Sequence, residues 1–363
     1  MRLNDIISYL EQLAPPSLQE SYDNSGLQVG QGNPEITGCL IALDVTEDLV
    51  HEAVERNCNL IVVHHPLLFK GVKSLTGNDY IQRCVMHAIK HNIAIYATHT
   101  NLDNISQGVN AMIASKLGVV KPKILAPKKT LLHKLAVFVP KKDTQRVADA
   151  MFEAGAGSIG DYDHCSFRSA GMGSFRAGED SDPHVGERGE THFEEEDKLE
   201  VIIESYNLPQ VLKAMKVSHP YEEVAYDIIP LQNSNPLIGS GMIGHFSEPL
   251  YTINLLQKIK ESFGGVLRYT NIIKDQVSKI AWCGGSGSFL LPQAKAQGAE
   301  VFLSSDFKYH DFFNADNEII IVDIGHFESE QFTKELLFQK LTQKFPNFAV
   351  LLTETNTNPI NYL

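Results

Sequence analysis

No CxxC spacing occurs in this chain, and its five cysteines, Cys39, Cys58, Cys84, Cys165 and Cys283, are scattered over 363 residues. That excludes a zinc knuckle or a disulfide framework and points to a reduced, cytoplasmic compartment. No segment reaches the roughly 20 apolar residues of a membrane span, so no membrane partner is expected. The N-terminal "MRLNDIISYLEQLAPP" carries Asp5 and Glu11 within an amphipathic pattern and ends in Pro15-Pro16, which marks a short helix rather than a targeting segment. Basic residues are in deficit, 31 Lys and Arg against 44 Asp and Glu, and the net charge of −13 argues against a broad nucleic-acid-binding face. The glycine-rich "WCGGSGSFLLPQA" matches neither GxGxxG nor GxxxxGK(S/T), and no Ser/His/Asp or Cys/His signature stands out. Small molecules and other subunits remain as partners.

What is present is a patterned α/β chain. Between Thr37 and Leu117, strand-like "GCLIALD", "LIVV" and "IAIYAT" alternate with helix-like "EDLVHEAVERN", "YIQRCVMHAIKH" and "GVNAMIASKL". Such alternation implies a mainly parallel, helix-covered sheet. The same grammar returns after Pro236, through "KIAWCGG", "VFLSS", "EIIIVDIG" and one long helix, "FESEQFTKELLFQKLTQKF". The middle reads β-α-β-β-α-β, the order of a ferredoxin-like unit. Within it, "GMGSFRAGEDSDPHVGERGETHFEEEDK" is read as a long loop, with "EEED" a solvated face. The expected division is a discontinuous core, residues 1–127 and 236–363, interrupted by a domain at 128–235.

Chemistry concentrates where β runs stop. "IVVHHPLLF" ends an apolar run at His64 and His65, and Pro66 removes the donor a continuing central strand needs. "ATHTNLDN" supplies His99 and Asp103, "SSDFKYHD" supplies Asp306, Lys308 and His310, and "DIGHFESE" supplies His326 and Glu330. In open α/β sheets such strand ends face the ligand crevice. His326 and Glu330, four apart, share a helix face, while Glu328 points elsewhere. Imidazole nitrogen and carboxylate oxygen suit Zn, Mn, Fe, Co or Ni, and a carboxylate is able to bridge two ions. His64, His65, Asp103, His326 and Glu330 therefore form a candidate dinuclear set for metal-assisted hydrolysis. Asp103 equally suits a helix cap, and His99 a hydrogen bond beside the site. Lys308 is a candidate for substrate phosphate, and His99 and His310 are further candidate catalytic groups. Gly284, Gly285 and Gly287 in "WCGGSGSFLLPQA" suit either an anion cradle or a tight turn. The five histidines of the middle segment, His133, His164, His184, His192 and His219, lack such strand-end carboxylate partners and are expected to supply no metal ligand.

Taken in order, "YDNSGLQVG", "VVHHPLLF", "HTNLD", "HPYEEVAYD", "CGGSGS", "DFKYH" and "DIGHFESE" give the chain a family likeness. It resembles the GTP cyclohydrolase type 2 homologues, also described as NIF-three-like dinuclear metal proteins. The resemblance implies a two-half NIF-three-like α/β core with metal ligands at His64, His65, Asp103, His326 and Glu330, and two divalent ions per chain. It also implies a PII-like or CutA-like inserted domain, marked by "GMGSFRAGED" and "HPYEEVAYD", and a homohexameric ring with sites facing an inner cavity. Tyr22 stands where the family leads one to expect Trp, and Ser305 where it leads one to expect Gly. The implied activity is metal-dependent hydrolysis of a nucleotide-like or phosphorylated metabolite. The competing expectation is a regulatory or scaffold protein whose PII-like domain senses a ligand without turnover.

Overall fold

The computed structural model describes all residues, Met1–Leu363. The chain divides into two compact units, Met1–Pro127 with Leu237–Leu363, and Lys128–Pro236. In chain order the strands are β1 (Gly26–Val29), β2 (Cys39–Ala42), β3 (Leu60–Val63), β4 (Ala94–Ala97) and β5 (Val120–Pro127). The second unit holds β6 (Leu132–Pro140), β7 (Ser166–Arg176), β8 (Thr191–Glu204) and β9 (Tyr226–Pro230). The rest are β10 (Gly239–Tyr251), β11 (Arg268–Tyr269), β12 (Gln276–Ser286), β13 (Val301–Ser305), β14 (Ile320–Asp323) and β15 (Val350–Leu352).

The discontinuous unit contains two sheets. One has the order β1-β4-β3-β2-β15, parallel except for β1. Every residue of β2, β3 and β4 is buried, as continuous apolar runs demand when helices cover both faces. Helix Glu47–Glu55 buries Leu49, Val50 and Ala53, and the Thr46 side chain caps it by accepting from the Leu49 amide. Helix Tyr80–Lys90 buries Cys84, Val85 and Ala88 and is capped in the same way by Asp79. The other sheet has the order β11-β14-β13-β12-β10-β5, with β12, β13 and β14 parallel. Trp282 on β12 is fully buried, and its indole N–H donates to the Asn110 carbonyl at 2.8 Å.

The expected single helix after "DIG" is two helices, His326–Glu330 and Thr333–Lys344. The break falls beside Gln331, whose side-chain Nε2 donates to the carbonyls of Phe263 (2.8 Å) and Glu328 (3.1 Å). Past β15 the chain is held by Glu52. One carboxylate oxygen accepts from the Thr353 and Thr355 hydroxyls at 2.5 and 2.7 Å, the other from the Glu354 amide and Arg56 at 2.9 and 2.6 Å. Burial opposes the charge of Glu52, but these donors prevail and hold its carboxyl down at about 2. A depressed folded-state value means stabilisation present above the ordinary 4.5 and lost as pH falls toward about 2. Glu52→Gln should therefore lower the thermal midpoint by a few degrees at neutral pH. Circular dichroism melts should show that gap closing between about pH 4.5 and 2; a gap independent of pH would contradict the assignment.

The second unit runs β6, helix Thr144–Glu153, β7, β8, helix Leu208–Ser218, β9. Its sheet has the order β7-β8-β6-β9 and is antiparallel throughout. Leu135, Val137, Val139, Leu199, Val201 and Ile203 form one apolar face against Val147, Met151, Val211 and Met215 of the helices. Half of the long loop expected here is strand. β7 reaches Arg176 and β8 starts at Thr191, so only 177–190 connect them, and "EEED" lies on β8. Pairs such as Met172 with Glu195 and Phe175 with His192 show why composition misleads: the ladder joins backbone groups, and polar side chains stand on both of its faces.

Candidate metal centre

Strand ends of the discontinuous unit build this site. Where β3 stops, the amides of His64 and His65 both donate to the Leu43 carbonyl, at 3.2 and 3.0 Å, fixing the two rings side by side. Where β4 stops, His99 precedes the short helix Thr100–Asp103. Where β14 stops, Gly325 turns the chain at φ +89° into the helix carrying His326 and Glu330.

The five expected ligands converge. Glu330, 3% exposed, is the hub. Its Oε2 lies 2.8 Å from His65 Nε2, 3.1 Å from His326 Nε2 and 3.7 Å from His64 Nε2. His64 Nε2 also lies 3.5 Å from Asp103 Oδ1. The donors thus form two triads, His65–His326–Glu330 and His64–Asp103–Glu330, joined at one carboxylate. A third grouping brings His99 to His64 and His65. Two atoms aimed into this space, His64 Nε2 and Asp103 Oδ1, are buried without any hydrogen-bond partner. Such orphans are costly unless something else satisfies them.

Each ring is set from behind. His64 Nδ1 meets the Thr98 carbonyl at 2.8 Å, His65 Nδ1 meets Asp44 at 2.6 Å, and His326 Nδ1 meets Asp306 at 2.6 Å. His99 Nδ1 meets Asp23 at 2.7 Å. Such contacts hold each ring through Nδ1 and direct Nε2 toward the cluster. The charges show the same competition. Burial opposes the cationic form of His65, but bonds to Asp44 and Glu330 push it up to about 10. His326, likewise disfavoured by burial, is raised to about 11 chiefly by the Glu330 charge and the Asp306 bond. Burial and the Glu330 charge lift Asp103 to about 8. Glu330 itself is held well below the carboxylate range despite its burial, because the His326 and His64 rings draw it down.

Asp44 and Asp23 escaped the sequence reading. For Asp44 the signal was available, since it lies just past β2 in "LIALD". Asp23 sits in the irregular stretch before β1 and carried none. Lys308 and His310 do not join the site: both are exposed, the Lys308 amide donates to Asp311 at 2.8 Å, and the His310 ring packs on Tyr309 and Phe313. None of the five histidines of the second unit enters any of the ligand groups. The glycine stretch spends its amides internally, Gly284 on Asn110, Gly285 on Ser329 and Gly287 on Ser304. Gly285 has another task. Its φ is +62°, and a Cβ there would stand 2.3 Å from Glu330 Oε1. A cavity of about 210 Å³ opens over the cluster, lined by His99, Asp103, His326 and Glu330 and by the exposed rings of Tyr22 and Phe289. No Lys or Arg lines it.

Comparison with known proteins places this geometry in context. The Duf34/NIF3 (NGG1p interacting factor 3) family profile matches residues 1–359. Proteins of Halalkalibacterium halodurans and Bacillus subtilis, each named GTP cyclohydrolase 1 type 2 homolog, are 37% identical over 99% of this chain and 98% of their own length. A solved Bacillus cereus protein related to NIF3 superposes with a TM-score of 0.87 at 36% identity, covering 100% of this chain and 99% of that one.

Proposed function

This chain belongs to the Duf34/NIF3 family, and from that premise we propose that it is a dinuclear metal-dependent hydrolase. The observation that carries the proposal is the single buried carboxylate, Glu330, shared by two donor triads whose remaining atoms include the orphaned His64 Nε2 and Asp103 Oδ1. Three imidazoles and two carboxylates fit a pair of divalent ions such as Zn, Fe, Mn, Co or Ni. Bound there, they would supply a water of lowered pKa and neutralise charge developing on a substrate oxygen. The chain's own residues do the rest. Asp44, Asp306 and the Thr98 carbonyl keep the three Nε2 atoms aimed inward. His99, held by Asp23 and lining the cavity, is placed to take or return a proton. Tyr22 and Phe289 offer flat faces to a ring-bearing, nucleotide-like metabolite, which accords with the relatives' names.

The second unit, with the β-α-β-β-α-β order and a 2-3-1-4 sheet counted within the unit, is in this reading a ferredoxin-like, PII-like inserted domain. The chain is further proposed to assemble as a homohexamer. Light scattering should return several times 40.3 kDa, and a monomer at micromolar concentration would refute assembly. The central test is elemental analysis of protein purified without added metal, with two ions per chain expected and protons released on loading. A substrate screen then separates hydrolysis, abolished in His65→Ala, from a second reading in which the protein binds metal as a regulator or scaffold and the inserted domain senses a ligand. Ligand binding without turnover would favour that second reading.

A further inference from the structure

The second unit contains a cavity of about 310 Å³ bounded by β7, β8, the 177–190 connection and the "HPYEE" segment. No residue of the metal centre lines it. One corner is aromatic. Phe175 and Tyr221 meet edge to face at 5.9 Å, and the His184 ring lies 6.2 Å from Tyr221. The charge is mainly of one sign, with Glu196, Glu222 and Glu223 in the lining against Arg176. The Tyr221 hydroxyl is buried beside the Glu196 carboxylate. Burial and the charges of Glu196, Glu194 and Asp143 all oppose its ionisation, so it stays a neutral phenol in a negative field.

Glu196 is placed there by a glycine. Gly173 lies mid-strand on β7, paired with Glu194, in backbone that any residue adopts. Glycine weakens a strand interior and needs a reason to be there. A Cβ at Gly173 would stand 2.2 Å from Glu196 Oε2 and 2.7 Å from Cδ. The missing side chain leaves room for the carboxylate to lie across the strand. A cavity of this size with aromatic faces, a net negative lining and a neutral hydroxyl beside a carboxylate matches a cation with an apolar body.

We propose that this cavity binds a small organic amine, its alkyl part against Phe175 and Tyr221 and its ammonium donating to Glu196 and the Tyr221 oxygen. The site is independent of the metal reading. It would give the inserted unit a ligand of its own, sensed by a fold that carries none of the ligands of the metal centre.

The test is calorimetric titration of the full chain with spermidine, with tetramethylammonium as a cation lacking N–H donors and ATP as an anion of similar bulk. Spermidine should bind more tightly than tetramethylammonium, and Glu196→Gln should weaken it about tenfold to hundredfold. Gly173→Ala should weaken it comparably, by displacing the carboxylate while leaving it charged. Metal content should be unchanged in both variants, so failure here is distinguishable from failure of the metal assignment. Circular dichroism on each variant guards against misfolding, and Tyr221→Phe, which only removes a hydroxyl, serves as a milder third reading. No binding of either amine at millimolar concentration, equal spermidine binding in Glu196→Gln, or preference for ATP would each overturn the proposal.

Discussion

On the proposed dinuclear reading, Glu330→Gln should strip the protein of both ions, whereas Glu328→Gln, two residues away on the same helix, should leave them bound. Both glutamates are buried, so burial alone does not separate them. Their surroundings do. Glu330 faces three imidazoles, while Glu328 packs on Gly265 and Gly325 and accepts from Asn358 at 3.3 Å. An amide at 330 keeps the volume but loses the charge and one of the two oxygens able to bind an ion. Because one carboxylate serves both triads, the loss should exceed the roughly 10–100-fold in affinity that removing an orienting partner costs. Asp44→Asn and Asp306→Asn, which touch only the backs of His65 and His326, should fall within that milder range. Elemental analysis of the set reads the order directly. Equal loss from Glu330→Gln and Glu328→Gln would refute the shared-carboxylate geometry.

Gly285→Ala should disable the same centre without altering any ligand. Two costs combine at this position. The positive φ alone costs a residue with a side chain about 1–2 kcal/mol, and the added methyl would collide with Glu330 Oε1. Gly298→Ala is the matched control, since its φ is +71° but nothing lies within 4 Å of the methyl. Both variants should therefore lose thermal stability, and only Gly285→Ala should lose metal. If the two retain metal equally, the close approach at 285 carries no functional weight.

The strand ends were legible because two independent signals coincided there: apolar runs that stop, and donors that follow at once. His64, His65 and the His326–Glu330 pair carry both signals, and the structure brings all three together with Asp103. Lys308 and His310 satisfied the same rule and yet turned outward, since Asp306 at φ +60° redirects the chain and the following turn closes on Asp311. Strand-end position identifies which residues reach the crevice edge, but the next backbone angle decides which enter it. The partners behind the rings were harder to read. Asp44 and Asp306 act across separations of 21 and 20 residues, with no periodicity linking donor to acceptor. The β7–β8 hairpin was obscured for another reason, namely that a two-residue period in a strand with one solvated face is easily masked when both sets of side chains are polar.

The shared carboxylate and the anchoring of the chain past β15 have a consequence for biosynthesis. His65 and Glu330 are 265 residues apart, which at about 5–20 residues per second is roughly 13–50 s of translation. Throughout that interval the first sheet lacks β15, its edge beside β2, and Asp44 lacks the Thr357 hydroxyl that donates to it at 3.2 Å. On the proposed metal reading, the nascent chain would expose a half-built pair of histidines able to hold a stray ion but not to select one. On that reading, the choice of ion would fall only once Glu330 and the last strand have docked.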